Sequence, residues 1–200
     1  MTLPQIEIKP DPINWDGLPK RYMNPFELET LCHLIREHKP KVVIEFGINS
    51  GRTAKAILRE SPGIKKYVGV DVPFGYVTEK NVQRKEVPVY AGHLVEGDTR
   101  VEVIIRTNGT HDLMASDLPE ADVVFIDGDH SRFGVEHDTA LAYGVVRKGG
   151  LVLWHDYNDV KDKKTGGPAV DVKAVLDDLS ANGHDIKHIK NTWIAYEVIK

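Results

Sequence analysis

The chain has 200 residues, 41% hydrophobic and 28% charged, with a formal net charge of −4. This length favours one domain that buries roughly 70% of its unfolded surface, and the acidic balance argues against a nucleic-acid-binding protein. Cys32 is the only cysteine, which excludes an internal disulfide and favours a reducing compartment. Because no apolar run approaches the ~20 residues that cross a membrane, and the start of the chain does not resemble a signal peptide, we expect a cytoplasmic protein.

The first part of the chain is predicted to contain an irregular arm followed by alternating helices and strands. Residues 1–24 contain several prolines and form the predicted arm, and residues 25–200 form the predicted single domain. Asn24 followed by proline is typical of a helix start. The predicted elements are a helix from Pro25 to about His38, a strand over Lys41–Phe46, a helix over Arg52–Glu60 and a strand over Lys66–Asp71.

The middle of the chain is less regular. We predict a short helix over Val77–Lys85 and a strand over Pro88–Leu94. The segment Thr99–Thr107 fits both the helical and the strand period. We predict a helix there because Asp98 and Thr99 resemble a helix cap.

The second half of the chain alternates strands and helices and ends in a hairpin. A charged loop (156–168) separates the last predicted helix from the strand before it. Five strand–helix units closed by a hairpin predict an α/β fold with a mostly parallel sheet. The predicted elements are strands over Asp122–Asp127 and Leu151–Trp154, helices over Arg132–Val146 and Val170–Ala181, and a hairpin over Asp185–Ile199.

The segment Val42–Gly51 is the most informative part of the sequence. It is an apolar run followed by an acidic residue and two glycines, a pattern typical of a buried strand that turns sharply beside a ligand. A dinucleotide fingerprint would need glycines where Asn49 and Arg52 stand, so the pyrophosphate cradle is incomplete. Asp71, at the end of the next strand, can accept hydrogen bonds from both ribose hydroxyls. These features predict a site for a nucleoside cofactor without a pyrophosphate.

Two clusters of ionisable residues follow the fourth and fifth predicted strands. Asp127, Asp129 and His130 follow one strand, and His155 and Asp156 follow the other. The carboxyl ends of adjacent parallel strands lie about 4.8 Å apart, so we expect the clusters to face each other. Asp127, His155 and Asp156 would supply ligands suited to Mg²⁺, Mn²⁺ or a later divalent metal. The alternative is a hydrogen-bonded polar cluster that holds no metal.

The pattern Glu45-x-Gly47-x-x-x-Gly51 resembles motif I of the class I S-adenosylmethionine (SAM) methyltransferases. The segment Ile126–Asp138, which contains Asp-Gly-Asp-His, is similar to the methyltransferase-24 family and its macrocin-type relatives, and more distantly to the catechol-type O-methyltransferases. This resemblance covers about residues 25–200. It implies a Rossmann-like class I methyltransferase fold: a seven-stranded, mostly parallel sheet with an antiparallel C-terminal hairpin strand and helices on both faces.

The resemblance also implies roles for individual residues. Asp127, His155 and Asp156 match the residues that hold a divalent cation, and Asp129 or His130 matches the general base. Related enzymes have aspartate where this chain has His155, which leaves the preferred metal open. The residues expected to contact SAM are Glu45, Phe46, Gly47, Gly51, Asp71, Val72, Asp98, Thr99 and Asp127, with Asp98 beside the adenine.

Together these inferences predict a SAM-dependent methyltransferase that acts on a hydroxyl group of a small molecule or sugar, assisted by Mg²⁺ or Mn²⁺. We expect no nucleic-acid or membrane partner, and we regard a homodimer as compatible with the sequence. Two alternatives stay open: a metal-dependent hydrolase of the phosphoesterase kind, which also uses scattered aspartate and histidine ligands, and a SAM-binding protein without catalytic activity. The glycine spacing disfavours a nicotinamide-linked oxidoreductase.

Overall fold

The structure, a computed structural model, describes residues 2–20, 23–76 and 88–200. The helix predicted over Val77–Lys85 lies outside these residues. The described helices are α1 (Pro25–His38), α2 (Arg52–Glu60), α3 (Arg132–Val145) and α4 (Val172–Ala181). The described strands are β1 (Gln5–Ile6), β2 (Val42–Phe46), β3 (Lys66–Asp71), β4 (Val101–Ile105), β5 (Ala121–Ile126), β6 (Val146–Trp154), β7 (Lys187–Ile189) and β8 (Ala195–Val198). None of the described helices is long and apolar enough to cross a membrane.

The described strands form one eight-stranded sheet in the order β1-β7-β8-β6-β5-β2-β3-β4. Neighbouring strands are parallel except around β8, which is antiparallel to both β6 and β7. This topology confirms the predicted α/β fold with an antiparallel strand from the terminal hairpin. The sheet has one strand more than predicted, because Gln5 and Ile6 pair in parallel with His188 and Ile189.

Different helices cover the two faces of the sheet. Helices α1 and α2 pack on one face, and α3 and α4 pack on the other. Strand β5 shows how the sequence serves both faces: Val123 and Phe125 belong to the first core, and Val124 and Ile126 belong to the second. A strand buried on both sides must be apolar along its whole length, which explains the continuous apolar run in the sequence.

Helix α1 begins where the sequence predicts. The Asn24 side chain accepts a hydrogen bond from the Glu27 backbone N–H (3.0 Å), and the Glu27 carboxylate accepts one from the Asn24 backbone N–H (3.2 Å). This capping box satisfies two backbone donors that the helix leaves unpaired. The helix ends at Lys39, which has a left-handed conformation (φ 53°). Cys32 lies on its buried face.

The prediction is wrong between residues 88 and 107. The predicted helix over Thr99–Thr107 is strand β4, and the predicted strand over Pro88–Leu94 consists of turns and a short 3₁₀ helix (His93–Val95). Several residues of Val101–Ile105 are β-branched and satisfy both periods, so local pattern could not decide. Pairing with β3 along its whole length decides in favour of the strand.

The chain after α3 also differs from the prediction. Strand β6 begins at Val146, five residues before the predicted Leu151, and the register against β5 shifts between Ala121 and Val123. The Arg147–Gly150 segment, predicted as a helix end, is therefore part of an irregular strand. The other predicted helices and strands are present with small shifts at their ends.

The strand order determines where a ligand can bind. Strand β2 pairs with β3 on one side and β5 on the other, so the chain direction across the sheet reverses at β2. In open α/β sheets, ligands bind at the carboxyl ends of the strands beside such a reversal.

Candidate functional site

The carboxyl edge of the sheet surrounds a cavity that begins at the strand-order reversal. The residues that line it lie at or after the ends of five neighbouring parallel strands, and others come from the segment before α1, from α2 and α3, and from the loop before β8. The lining includes Phe46 to Ser50 after β2, Asp71 and Val72 after β3, Asn108 to His111 after β4, Asp127 to His130 after β5, His155 and Asp156 after β6, and also Met23, Arg52, Asp138 and Trp193.

The turn after β2 is shaped by glycine. Gly47 has a φ of 92°, a conformation that glycine adopts without steric cost. A Cβ atom at this position would overlap the carbonyl oxygen of Asp127. Gly51, with a φ of 81°, is the N-cap of α2. Gly47 therefore serves a close approach between neighbouring turns, and Gly51 serves the entry into a helix. Of the two glycines expected to contact the cofactor, Gly47 lines the cavity and Gly51 does not.

Asp71 holds this turn through its carboxylate. One oxygen accepts a hydrogen bond from the Asn49 N–H (2.6 Å), and the other accepts one from the Val72 N–H (2.7 Å). Burial raises the pKa of Asp71, although the two backbone hydrogen bonds act in the opposite direction. Each carboxylate oxygen can accept a second hydrogen bond, so Asp71 can still bind ribose hydroxyls from its place in the cavity wall.

Glu45 does not line the cavity. Its carboxylate accepts a hydrogen bond from the hydroxyl group of Tyr67 (2.9 Å) in the core below the sheet, and both side chains are buried. Burial raises the pKa of Glu45 well above its ordinary value. The expected contact between Glu45 and the cofactor is therefore corrected: successive side chains of a strand point to opposite faces, and Phe46 rather than Glu45 lines the cavity.

Asp98 and Thr99 also lie away from the cavity. They precede β4, at the amino edge of the sheet, and Asp98 forms a salt bridge with Arg100 (2.6 Å). Their predicted role beside the adenine depended on the incorrect strand prediction for Pro88–Leu94, which would have put them after the carboxyl end of a strand. The residues that do follow β4 into the cavity are Asn108 to His111, which were not predicted from the sequence. A strand prediction for Val101–Ile105 would have found them.

The clusters after β5 and β6 do meet. The Nε2 atom of His130 lies 3.5 Å from Oδ1 of Asp127 and 3.2 Å from Oδ2 of Asp156. One ligand atom from each of these three residues can be chosen so that all three lie within 4.8 Å of one another. His130, predicted as a general base, thus occupies a place suited to a metal ligand.

His155 approaches the same two carboxylates. Its Nδ1 atom lies 3.3 Å from Oδ1 of Asp127 and 3.6 Å from Oδ1 of Asp156. Burial alone would raise the pKa of Asp127, but the charges of His155 and His130 lower it to about 2. Burial alone would lower the pKa of each imidazole, but the two carboxylates raise it, for His155 well above the ordinary value. The cluster therefore attracts positive charge.

The chemistry of this cluster fits a divalent cation. Two carboxylates and two imidazoles face one another, and each of these side chains is at least partly buried. Nδ1 of His130 and Nε2 of His155 are buried with no hydrogen-bond partner in the described part of the chain. These are not the ring nitrogens that approach the carboxylates, so the fit to a cation rests on the four side chains that face one another.

Three further residues complete the cavity wall. Asp129 lines the cavity and accepts a hydrogen bond from the Ser131 N–H (2.9 Å). Asp138, on α3, accepts a hydrogen bond from the Thr110 hydroxyl, and its other oxygen is buried without a partner among the described residues. Burial raises the pKa of Asp138 to about 7. Neither Asp138 nor Thr110 was predicted from the sequence. A polar residue in the apolar pattern of α3 was the available signal for Asp138.

Comparisons with known proteins agree with this geometry at the level of the fold. The methyltransferase PaMTH1 of Podospora anserina, solved with bound S-adenosylhomocysteine (SAH), has a TM-score of 0.66 and 15% identity over 90% of this chain and 80% of its own. The O-methyltransferase TomG of Streptomyces achromogenes, solved with SAM, has a TM-score of 0.62 and 17% identity over 92% and 84%.

Sequence comparisons identify the family. The uncharacterized protein R132 of Acanthamoeba polyphaga mimivirus is 29% identical over 153 residues, which are 75% of this chain and 66% of the viral protein. A family model described as a methyltransferase domain matches residues 44–157, which contain the turn after β2, Asp71 and the clusters after β5 and β6. This match spans more than half of the chain. The chain therefore belongs to the methyltransferase-24 family of methyltransferase domains.

Proposed function

We propose that this chain is a SAM-dependent O-methyltransferase that methylates a hydroxyl group of a small molecule or sugar with the help of a divalent cation. The observation that carries the proposal is the continuity of the cavity. The turn after β2 and the cluster around Asp127 line the same space, and the Asp127 N–H donates a hydrogen bond to the Phe46 carbonyl oxygen (2.8 Å). A cofactor bound at the turn after β2 would therefore lie beside an acceptor bound at the cluster around Asp127.

The cofactor end of the cavity suits SAM, which when bound supplies an electrophilic methyl group. Asp71 would accept hydrogen bonds from the ribose hydroxyls, each such bond contributing about 1.5–3 kcal/mol. The glycine turn at Gly47 keeps the backbone clear of side chains there. The absence of a pyrophosphate cradle in the sequence matches a cofactor without phosphate. That PaMTH1 and TomG were solved with SAH and SAM supports the same ligand here.

The acceptor end suits a hydroxyl compound. Asp127, Asp156 and the two imidazoles would hold a cation, which when bound lowers the pKa of a hydroxyl group and fixes the position of its oxygen. His130 faces both carboxylates. We therefore assign it to the cation, which leaves Asp129 to accept the hydroxyl proton. Trp193 lines the same cavity, is 41% exposed and offers a flat apolar wall to an acceptor.

The proximity of the two ends supplies much of the expected rate enhancement. Holding two reactants in a near-attack geometry gives effective molarities of roughly 10⁵–10⁸ M. Here the cofactor turn and the cluster follow neighbouring strands, β2 and β5, that pair over four residues. The rigid sheet, rather than a mobile loop, would fix the distance between methyl group and acceptor.

Other parts of the predicted function remain proposals. We propose a cytoplasmic location, an arm over residues 1–24 and one domain over residues 25–200. The acidic net charge supports a protein without a nucleic-acid partner. A homodimer is also a proposal, and the oligomeric state can be measured by light scattering.

The first test of the proposed function is calorimetric titration with SAH of the wild type, Asp71→Asn and Asp162→Asn. Asp162 is a matched control because it also accepts two backbone hydrogen bonds, from Lys164 and Thr165, but lies in an exposed loop. We expect micromolar binding by the wild type and by Asp162→Asn, and roughly a 10–100-fold loss in Asp71→Asn. If the wild type does not bind SAH, the proposal is wrong.

A second test separates methyl transfer from the alternatives. The protein is incubated with SAM carrying a labelled methyl group and a panel of phenols, vicinal diols and sugars, with Mg²⁺ or Mn²⁺ added. Transfer of the label to a hydroxyl oxygen, lost in Asp127→Asn, supports the proposal. Hydrolysis of a generic phosphate ester without label transfer would instead favour the hydrolase, and SAH binding without either activity would favour a binding protein.

A further inference from the structure

The two imidazoles beside Asp127 and Asp156 offer nitrogen donors, which affect the choice of metal that binds in the cavity. We infer that this site binds a later divalent transition-metal ion, such as Co²⁺, Ni²⁺ or Zn²⁺, in preference to Mg²⁺, through both carboxylates and the ring nitrogens of His130 and His155. The inference rests on the proposed function only for the use of the site, since metal binding can be measured without methyl transfer.

The donor atoms favour a transition metal. Mg²⁺ prefers an octahedron of oxygen ligands and keeps several of its waters. Imidazole nitrogen is a softer ligand that suits iron, nickel, copper and zinc, and the affinity of such a site rises along the series from Mn²⁺ through Co²⁺ and Ni²⁺ to Cu²⁺. A cluster with two nitrogen donors beside two carboxylates therefore favours a transition metal, and a cluster of oxygens alone would not.

The geometry places these nitrogens where an ion would bind. Nε2 of His130 and Nδ1 of His155 each lie within 3.6 Å of both Asp127 and Asp156. The two imidazoles therefore flank the same pair of carboxylates, and an ion bound between Asp127 and Asp156 would meet nitrogen donors.

Burial limits the other partners that these groups can find. The side chains of His130, His155 and Asp156 are only 9–10% exposed, so their ring nitrogens and carboxylate oxygens have limited access to water. The remote ring nitrogens, Nδ1 of His130 and Nε2 of His155, have no hydrogen-bond partner among the described residues. Neither ring is thus held by a second polar group in that part of the chain, and the partners facing the cluster determine where each nitrogen points.

The test uses the full chain, treated with a chelator and then titrated with Mn²⁺, whose free form gives a sharp electron paramagnetic resonance signal that disappears on binding. We expect stoichiometric Mn²⁺ binding. Co²⁺ and Zn²⁺ should displace Mn²⁺ readily, and Mg²⁺ should need a concentration at least about tenfold higher. Electron spin echo modulation of bound Mn²⁺ should show directly coordinated ¹⁴N.

The matched variants are His155→Asp and His93→Asp. The first replaces a nitrogen donor by an oxygen donor, and we expect the ratio of Mg²⁺ to Mn²⁺ affinity to rise about tenfold while the ¹⁴N modulation weakens. His93 is an exposed histidine outside the cavity lining, where the same substitution should change neither the ratio nor the modulation. His130→Asp should also weaken the modulation.

Three outcomes would overturn the inference: no Mn²⁺ binding by the wild type, equal displacement by Mg²⁺ and Zn²⁺, or bound Mn²⁺ without ¹⁴N modulation. The wild-type measurements are decisive even if a variant fails to fold. SAH titration of the same metal-free sample tests the proposed function separately. If this sample does not bind SAH, the proposed function is contradicted. If it binds SAH but no metal is bound through nitrogen, only the present inference is contradicted.

Discussion

The two ends of β5 each carry an aspartate, but the two carboxylates have different partners. Asp122, near the amino end, accepts hydrogen bonds from the backbone N–H groups of Lys41 (2.6 Å) and Val42 (2.8 Å) and from Arg147 (2.5 Å). Burial would raise the pKa of Asp122, but its hydrogen bonds with Arg147 and with the two N–H groups lower it. The carboxylate of Asp127, just beyond the other end, faces two imidazoles instead.

The difference separates a carboxylate that holds strands together from one that we propose to function in the site. Backbone amides and arginine keep their protons at every pH that the fold survives, so Asp122 joins β5 to β2 and β6 as long as its own carboxyl group is ionised. The imidazoles that face Asp127 can exchange protons or bind a metal. The backbone beside it is also unusual: Asn49 and Asp156 line the cavity with positive φ angles of 48° and 62°. Non-glycine residues in this conformation cluster at functional sites.

The largest effect should come from Gly47→Ala. The new Cβ would overlap the Asp127 carbonyl oxygen in a backbone with φ 92°. Overpacking costs about 1–3 kcal/mol, and the left-handed conformation adds about 1–2 kcal/mol. We expect the free energy of unfolding to fall by about 2–5 kcal/mol and SAH binding to be lost. Urea unfolding and calorimetry measure the two effects.

The control for Gly47 is at the opposite edge of the sheet. Gly97 has a similar φ of 84°, but a Cβ there would meet no described atom within 4 Å. Gly97→Ala should therefore cost only the left-handed strain, about 1–2 kcal/mol, with normal SAH affinity. Equal losses in the two variants would show that the close approach at Gly47 has no special role.

The next effect separates the two aspartates of β5. Asp127→Asn removes a charge from the proposed cation site. A cation bound there would supply several kcal/mol of transition-state stabilisation. Since about 1.4 kcal/mol corresponds to tenfold in rate, we expect methyl transfer to fall by at least about 10²-fold. Steady-state kinetics with the labelled methyl group measure the loss.

Asp122→Asn makes the same chemical change at the structural end of the strand. It weakens the hydrogen bond with Arg147 (2.5 Å), so we expect a loss of about 1–3 kcal/mol in stability and unchanged activity per folded molecule. A large loss of activity in this variant, with its fold intact, would remove the distinction between the two ends.

Asp138 should give a smaller effect that depends on pH. Its pKa is raised by burial from 3.8 to about 7. As the pH rises from about 4 to 7, the unfolded chain loses this proton while the folded chain retains it, so folding stability falls. Asp138→Asn removes this dependence and can still accept the hydrogen bond from Thr110. We expect the variant to gain on the order of a few kcal/mol relative to wild type between pH 4 and pH 8.

Asp122 should change the folding stability with pH in the opposite direction to Asp138. Its pKa is lowered, so its contribution to stability is present above the unfolded pKa and is lost as the pH falls through the folded value. Asp122→Asn should therefore lose stability at pH 7 and approach the wild type in acid. Urea unfolding at pH 4, 6 and 8 tests both variants. If the difference in unfolding free energy between Asp138→Asn and wild type stays constant with pH, Asp138 does not have a raised pKa in the folded chain.

The sequence predicts what short-range rules determine. The capping box at Asn24 and the glycine turn at Gly47 depend on residues three or four apart, and the structure has both. The meeting of the clusters at Asp127 and Asp156 follows from one long-range rule, the alignment of parallel strands at a common edge. These parts of the fold and the site can therefore be predicted from the sequence alone.

The rest depends on contacts that local pattern does not contain. Val101–Ile105 satisfies both periods, and only its pairing with β3 makes it a strand. The adenine contact was expected at Asp98 because a strand was predicted just before it. Asp98 lies at the amino end of β4, and the cavity-lining residues beyond the carboxyl end, Thr110 among them, were missed. Glu45 was misplaced for another reason, because one residue along a strand decides which face a side chain reaches.

The smallest expected effect tests that correction directly. Asp98→Ala removes the carboxylate that the sequence placed beside the adenine and the structure places in a partly exposed salt bridge with Arg100 (2.6 Å). Such pairs contribute about 0–1 kcal/mol to stability. We expect a change of that size in urea unfolding and SAH affinity within about twofold of wild type, since RT ln 2 is only about 0.4 kcal/mol. Thr110→Val, beyond the carboxyl end of the same strand, should instead weaken SAH binding, because it replaces a polar side chain of the cavity wall by an apolar one. If Asp98→Ala weakened SAH binding and Thr110→Val did not, the cofactor would bind at the amino edge of β4, and the cavity described above would not be its site.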